Sequence, residues 1–263
     1  MSRYLPLTPQ NTANQRWNRF TDYRHAQAEH VVAVTAPEVS RIAAHLPMAF
    51  IRREDGSAQL VALLGLEAGV NHCLDEDSSW KAGYVPALLR AHPFRMLPPK
   101  GGKPTERTLC FDADSPWISG AGKEPFFQPR LAGVETPAQL TSALQQVVNF
   151  LLELEKHFYK TDQAVRSLDQ LDLLKPLDLS SIQGRPIEGV LQVDESRLNQ
   201  LGDEHWLQLR RQGGVALAYA QMISPQQLPT LRSYASGFVP AQAATDELDL
   251  DQLFGDDQDV FKF

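Results

Sequence analysis

Between residues 140 and 159 the chain reads LTSALQQVVNFLLELEKHFY, and Leu140, Leu144, Val147, Val148, Leu151, Leu154 and Phe158 recur there at intervals of three and four. That spacing places them along one face of an α-helix. A helix with such a stripe is stable only when the stripe lies on another apolar surface. The rest of the chain must therefore supply a partner layer. A second helix is predicted over residues 162–174, stopping before Pro176.

The upstream half reads as that layer. HVVAV at residues 30–34 is a short β-branched strand. Thr35, Pro37 and Glu38 form a capping box with proline in the first turn, which launches a helix to about Leu46, before Pro47. MAFIRR and AQLVALLGLE read as two strands of a hairpin around residues 54–57. VNHCL at residues 70–74 is predicted as a third strand, Pro86 opens a short helix ending near Ala91, and PFRML and TLCFDA are further strands. Downstream, GVLQV is a strand, residues 195–211 a helix, VALAYAQMI a strand or a helix, and residues 225–234 a helix. The fold class expected is α+β: an N-terminal, mostly antiparallel sheet with few helices, a helix-richer C-terminal half and an acidic C-terminal tail. The divisions expected are an N-terminal arm (1–29), a sheet-rich half (30–136), a helix-rich half (137–235), and a linker with the tail (236–263).

Composition narrows the function classes. The chain has 263 residues, 43% hydrophobic and 22% charged, ordinary for a soluble globular protein. No apolar run reaches the ~18–20 residues of a membrane span, and the N-terminus lacks the apolar core of a signal peptide, so a cytoplasmic location is expected. The formal net charge is −7, and residues 246–263 hold seven acids and one lysine, a charge of −6, which leaves about −1 on the body. With no basic stripe, nucleic acid is not an expected partner. Cys73 and Cys110 are too few for a disulfide scaffold.

The stretch densest in chemistry is VNHCLDEDSSWKAGYVP at residues 70–86. On a strand His72 and Cys73 would face opposite sides, and no paired-cysteine or HExxH spacing accompanies them, so no metal is expected and a strand running into a turn is the preferred reading. Cys73 has no base placed beside it by motif and reads as a buried small hydrophobe. Asp112 and Asp114 end a strand two residues apart, as in some metal-dependent sugar transferases, but also as in many turns. Residues 170–174, QLDLL, resemble a sliding-clamp docking peptide, yet their predicted place in a helix favours packing. Nucleophile-elbow, P-loop and dinucleotide-binding patterns are absent, and no cofactor is expected. Should the chain be an enzyme, Asn71, His72, Arg90, Asp112 and Asp114 are the candidate catalytic residues. Trp80, Tyr84 and Phe94 are large anchors able to pin the short helix to the sheet and to rim a binding groove. In the tail, acids alternate with Leu248, Leu250, Leu253, Phe254, Val260, Phe261 and Phe263. Such a segment docks through a few apolar side chains, on its own body or on another protein.

Several blocks together resemble the bacterial SapC family: YLPL at residues 4–7, Glu38, LPMAF at 46–50, VALLGLEAGVNHCLD at 61–75, Trp80 with Tyr84, and LRAHPF at 89–94. LCFDADSPWIS at 109–119, Asp162, LLKP at 173–176, VDE at 193–195 and Tyr219 with Ala220 continue the likeness in order. The resemblance implies association with a bacterial surface layer. It also implies a helper role beside flavin-dependent halogenase-like or cupin-like oxygenase enzymes, and it carries over no catalytic residue. The function expected is a non-catalytic binding or structural protein, an assembly subunit or an accessory partner of a modifying enzyme. The alternative is an enzyme of unfamiliar type acting on a peptide or glycan. A protein partner, through residues 246–263, and self-association into a lattice are the contacts to look for.

Overall fold

The computed structural model describes residues 3–99, 101, 103, 106–129, 138–177 and 189–236. Within them lie β1 (Tyr4–Pro6), β2 (Arg16–Trp17), β3 (Val31–Ala33), α1 (Val39–Ala43), β4 (Met48–Arg52), β5 (Ala58–Leu63), α2 (Ala87–Arg90), β6 (Phe94–Leu97), β7 (Thr108–Asp112) and β8 (Ile118–Ser119). There follow α3 (Ser142–Gln170), β9 (Leu174–Pro176), β10 (Val190–Val193), α4 (Glu195–Asn199), α5 (Asp203–Arg211), α6 (Gly214–Ile223) and α7 (Leu228–Ala235). This is an α+β protein with sheets concentrated early and helices late.

The strands divide among a five-stranded sheet in the order β3-β5-β4-β10-β9, a three-stranded sheet β1-β7-β6 and a ribbon β2-β8. Each of these pairings is antiparallel. The hairpin β4–β5 follows from its turn chemistry. Asp55 Oδ1 accepts from the Ser57 amide at 2.9 Å and from its hydroxyl at 2.6 Å, and Gly56 takes the φ of +80° that a glycine supplies freely. The capping box before α1 also forms, with Glu38 Oε2 accepting from the Thr35 amide and hydroxyl at 3.2 and 2.7 Å.

Four expectations are corrected. The two helices predicted across residues 140–174 are one, α3, of 29 residues. Nothing in the sequence between Ala138 and Lys175 breaks it, because no glycine or proline occurs there. At the expected break, the Thr161 hydroxyl donates back to His157 O at 2.7 Å and accepts the Ala36 amide at 2.8 Å. The QLDLL stretch lies not in a helix but at the end of α3 and the entry to β9, with Leu173 buried. VNHCL is not a strand. It is a turn in which Leu74 bridges to Trp80, the His72 amide donates to Leu64 O and the Lys81 amide to Cys73 O, both at 2.8 Å. Residues 195–211 form two helices, because Gly202 is extended (ψ 159°) and caps a new helix. The VALAYAQMI stretch, left open between strand and helix, is the helix α6.

α3 lies across two hydrophobic clusters. Its C-terminal residues Ala164, Val165 and Leu168 pack into the larger one with Phe50, Leu60 and Leu63 of the hairpin. Arg52–Asp169 and Arg53–Asp162 ion pairs at 2.6 and 2.7 Å bind the same face. Its N-terminal residues Leu144 and Leu151 enter an aromatic cluster with Trp17, Phe94, Phe111 and Phe126. Each fully buried aromatic there contributes on the order of 1.5–3 kcal/mol. No described helix is long and apolar enough to cross a membrane.

Candidate functional site

An open groove of about 430 Å³ runs above the aromatic cluster. Its walls are Trp17 of β2 with Arg19, Phe20 and Tyr23 beyond it, Arg90, Ala91, His92 and Phe94 around the end of α2, and Gln146, Val147 and Phe150 of α3. Three elements distant in sequence therefore build it. Trp17, the anchor of the N-terminal segment, is 2% exposed, and its ring meets Phe94 edge-on at 5.2 Å. Its indole Nε1–H has no hydrogen-bond partner among the described residues. Phe20 sits edge-on to Tyr23 at 5.3 Å.

Arg90 is the main cation of the groove. Its guanidinium lies 5.7 Å from the Phe150 ring and 5.7 Å from the Tyr84 ring, and Nη2 donates to the Tyr84 hydroxyl at 3.3 Å. Arg41 flanks the same tyrosine at 5.9 Å. Tyr84 is fixed in turn, because its hydroxyl donates to Glu38 Oε1 at 3.0 Å. Glu38 Oε1 also accepts the Ala87 amide, at 2.6 Å, so a buried carboxylate joins the starts of α1 and α2. Burial and the Glu38 charge hold the Tyr84 phenol above its ordinary range. Trp80 Nε1 donates to Tyr84 O at 2.9 Å, and its ring lies 5.5 Å from Tyr23.

At the groove wall two imidazoles stack, His25 on the lining His92, with centroids 3.9 Å apart and planes 7° from parallel. His25 Nε2 faces Leu89 O at 3.2 Å, and a carbonyl only accepts, so that nitrogen carries the proton. Burial pushes His25 down to about 4 and His92 to about 3. Both are neutral at physiological pH. His92 Nε2 lies 2.9 Å from Ser115 Oγ. This histidine–serine pair is not poised for nucleophilic attack, since Ser115 is 4% exposed and its oxygen accepts the Trp117 amide at 3.3 Å.

The candidate catalytic residues do not share a cavity. Asn71 lines a hollow with Asp75 and Lys81, His72 a separate one with Glu67 and Arg232, and Arg90 the groove. Asp112 and Asp114 line none of these three. Asn71 is spent on structure. Its Nδ2 donates to Ala26 O at 3.0 Å and its Oδ1 accepts the Cys73 amide at 2.9 Å. Asp112, buried, accepts the Asp114 amide at 3.2 Å in a turn, and Asp114 pairs with Arg3 at the surface. Burial lowers His72 and raises the fully buried Cys73 thiol to about 12. Among the described residues, no group of three or more His, Cys, Asp and Glu could hold a metal ion.

Of the named anchors, Phe94 lines the groove, while Trp80 and Tyr84 buttress it through Tyr23 and Arg90. Phe254, Phe261 and Phe263 lie outside the described residues. The sequence reading singled out neither His25, His92 nor Phe150 for a site. His92 stands inside the LRAHPF block and Phe150 one residue off the apolar stripe at Leu151, while His25 carries no local signal.

No curated protein and no solved structure matches the chain. A comparison with known families matches residues 7–231 to SapC. That span takes in every residue of the groove and omits β1 and the acidic tail. The match covers most of the sequence, and the chain belongs to the SapC family.

Proposed function

We propose that this protein is a non-catalytic binding protein, an accessory or assembly subunit, and that the aromatic groove is its working surface. The observation that carries the reading is the groove's lining: Trp17, Phe20, Tyr23, Phe94 and Phe150 beside Arg19 and Arg90, with no acidic residue among them. Such a lining suits an extended protein segment that presents aromatic side chains next to carboxylates. Rings stack on rings, and arginine engages both the carboxylate and the π face. The commitment of Asn71, Asp112 and Asp114 to structural bonds supports binding over catalysis. The partner class that the family resemblance brings forward is a modifying enzyme of the flavin-dependent halogenase-like or cupin-like kind. Association with a surface layer belongs to the same family label.

A charge-swap experiment tests the reading. A fluorescein-labelled peptide of alternating Phe and Asp is titrated against the full-length protein, beside one of alternating Phe and Lys. The acidic peptide binds full-length protein carrying Phe254→Ser, Phe261→Ser and Phe263→Ser, and adding Arg90→Glu to that protein weakens this binding about tenfold while improving that of the basic peptide. Equal binding of both peptides, or indifference to Arg90→Glu, would overturn the proposal.

A further inference from the structure

We infer that the groove's first occupant is the chain's own acidic segment, residues 246–263, so that the protein masks its binding surface until a partner displaces that segment. The inference rests on the proposed role of the groove and names its regulation. Three observations carry it. Charge is the first: the segment holds −6 of the chain's −7, and the groove presents Arg19 and Arg90 with no acid. The second is side-chain chemistry. Phe254 precedes and Phe261 and Phe263 follow the acids Asp256, Asp257 and Asp259, so rings stand on both sides of a carboxylate block, chemistry that the lining suits.

The third is reach. The described residues end at Ser236, just after α7. Tyr234 O accepts from Lys81 Nζ at 3.1 Å, Trp80 adjoins Lys81, and the Trp80 ring lies 5.5 Å from Tyr23, which lines the groove. The end of the described residues is thus a few side chains from the groove. The ten residues from Ser236 to Asp246 can span up to about 35 Å. Tethering holds the segment at an effective concentration of order millimolar, so even weak contacts keep the groove occupied.

The test uses full-length protein in which Phe254, Phe261 and Phe263 are each changed to Ser, a change outside the described body. The Phe–Asp peptide should bind this variant at least tenfold more tightly than the wild type. A labelled peptide of sequence 246–263 should bind the variant in competition with it, and Arg90→Glu should abolish the difference. In parallel, p-benzoyl-phenylalanine at Gln146 of the dilute wild-type protein should cross-link to 246–263 of the same molecule, whereas at Lys156 it should not. Equal affinity of wild type and variant for the Phe–Asp peptide would overturn the masking while leaving the groove's proposed role intact. Cross-linked dimers at Gln146 would replace self-masking with a second copy as occupant. Loss of peptide binding in every form would defeat both.

Discussion

At the scale of single residues, the groove is held by buried polar groups whose partners the fold has fixed. The His25–His92 stack is the clearest case. Both imidazoles have folded-state values below the ordinary histidine range, at about 4 and about 3. Above about pH 6.5 they are neutral in both the folded and the unfolded chain, and their contribution to stability is complete. Below that, the unfolded chain takes up protons that the folded chain refuses, so stability falls with pH until about 4 and then about 3. The slope is at most about 1.4 kcal/mol per pH unit for each histidine. Urea unfolding at pH 7, 5.5 and 4.5 should therefore show His92→Phe losing less stability on acidification than the wild type. A parallel pair of curves would contradict the assignment. Glu38 gives a second expectation. Glu38→Ala leaves the Ala87 amide, the Tyr84 hydroxyl and the Thr35 donors without their acceptor. The loss should be about 3 kcal/mol or more in the same assay.

Among the elements, what was legible in the sequence was what local chemistry decides. The β4–β5 hairpin is written in Asp55, Gly56 and Ser57, and the start of α1 in Thr35 and Glu38, because each side chain bonds its own neighbourhood. What was not legible depends on partners remote in sequence. The VNHCL stretch has strand composition, yet Asn71 is drawn to Ala26 O, and Gly65 brings its backbone against residue 70, so the segment turns. A Cβ on Gly65 would sit 1.8 Å from Val70 O. Gly65→Ala should therefore cost at least about 2 kcal/mol, measured by thermal unfolding, since a backbone oxygen cannot step aside. A change within a few tenths of that of a surface alanine would show the turn to be looser than described. The groove itself follows the same rule. Arg90 and Phe94 are near neighbours in sequence, but their meeting with Phe20, Tyr23 and Phe150 comes from a fold that no local spacing encodes.

Across the whole molecule, α3 makes two clusters one cooperative unit. Leu144 belongs to the aromatic cluster and Leu168 to the larger one, both fully buried on the same helix. Truncating either to alanine should cost 2–5 kcal/mol, in rough terms. Both changes should shift a single transition, with near-UV and far-UV circular dichroism coinciding. Separate transitions would mean that the helix does not couple the clusters. The β9–β10 pair ties the chain after α3 back to the sheet, since β10 pairs with β4 and β9 with β10. On this frame the groove shares Trp17 and Phe94 with the aromatic cluster, and its arginines are opposite in charge to the acidic segment.

The groove as a protein-binding surface is tested most directly by photo-cross-linking in the producing cell, with p-benzoyl-phenylalanine at Gln146 in the full-length chain carrying the three tail Phe→Ser changes. The cross-linked peptide is then sequenced. The expected product is a segment of a second protein with an aromatic residue beside Asp or Glu, captured at Gln146, not at Lys156, and lost with Arg90→Glu. Capture of basic segments, or the same products from both positions, would contradict it.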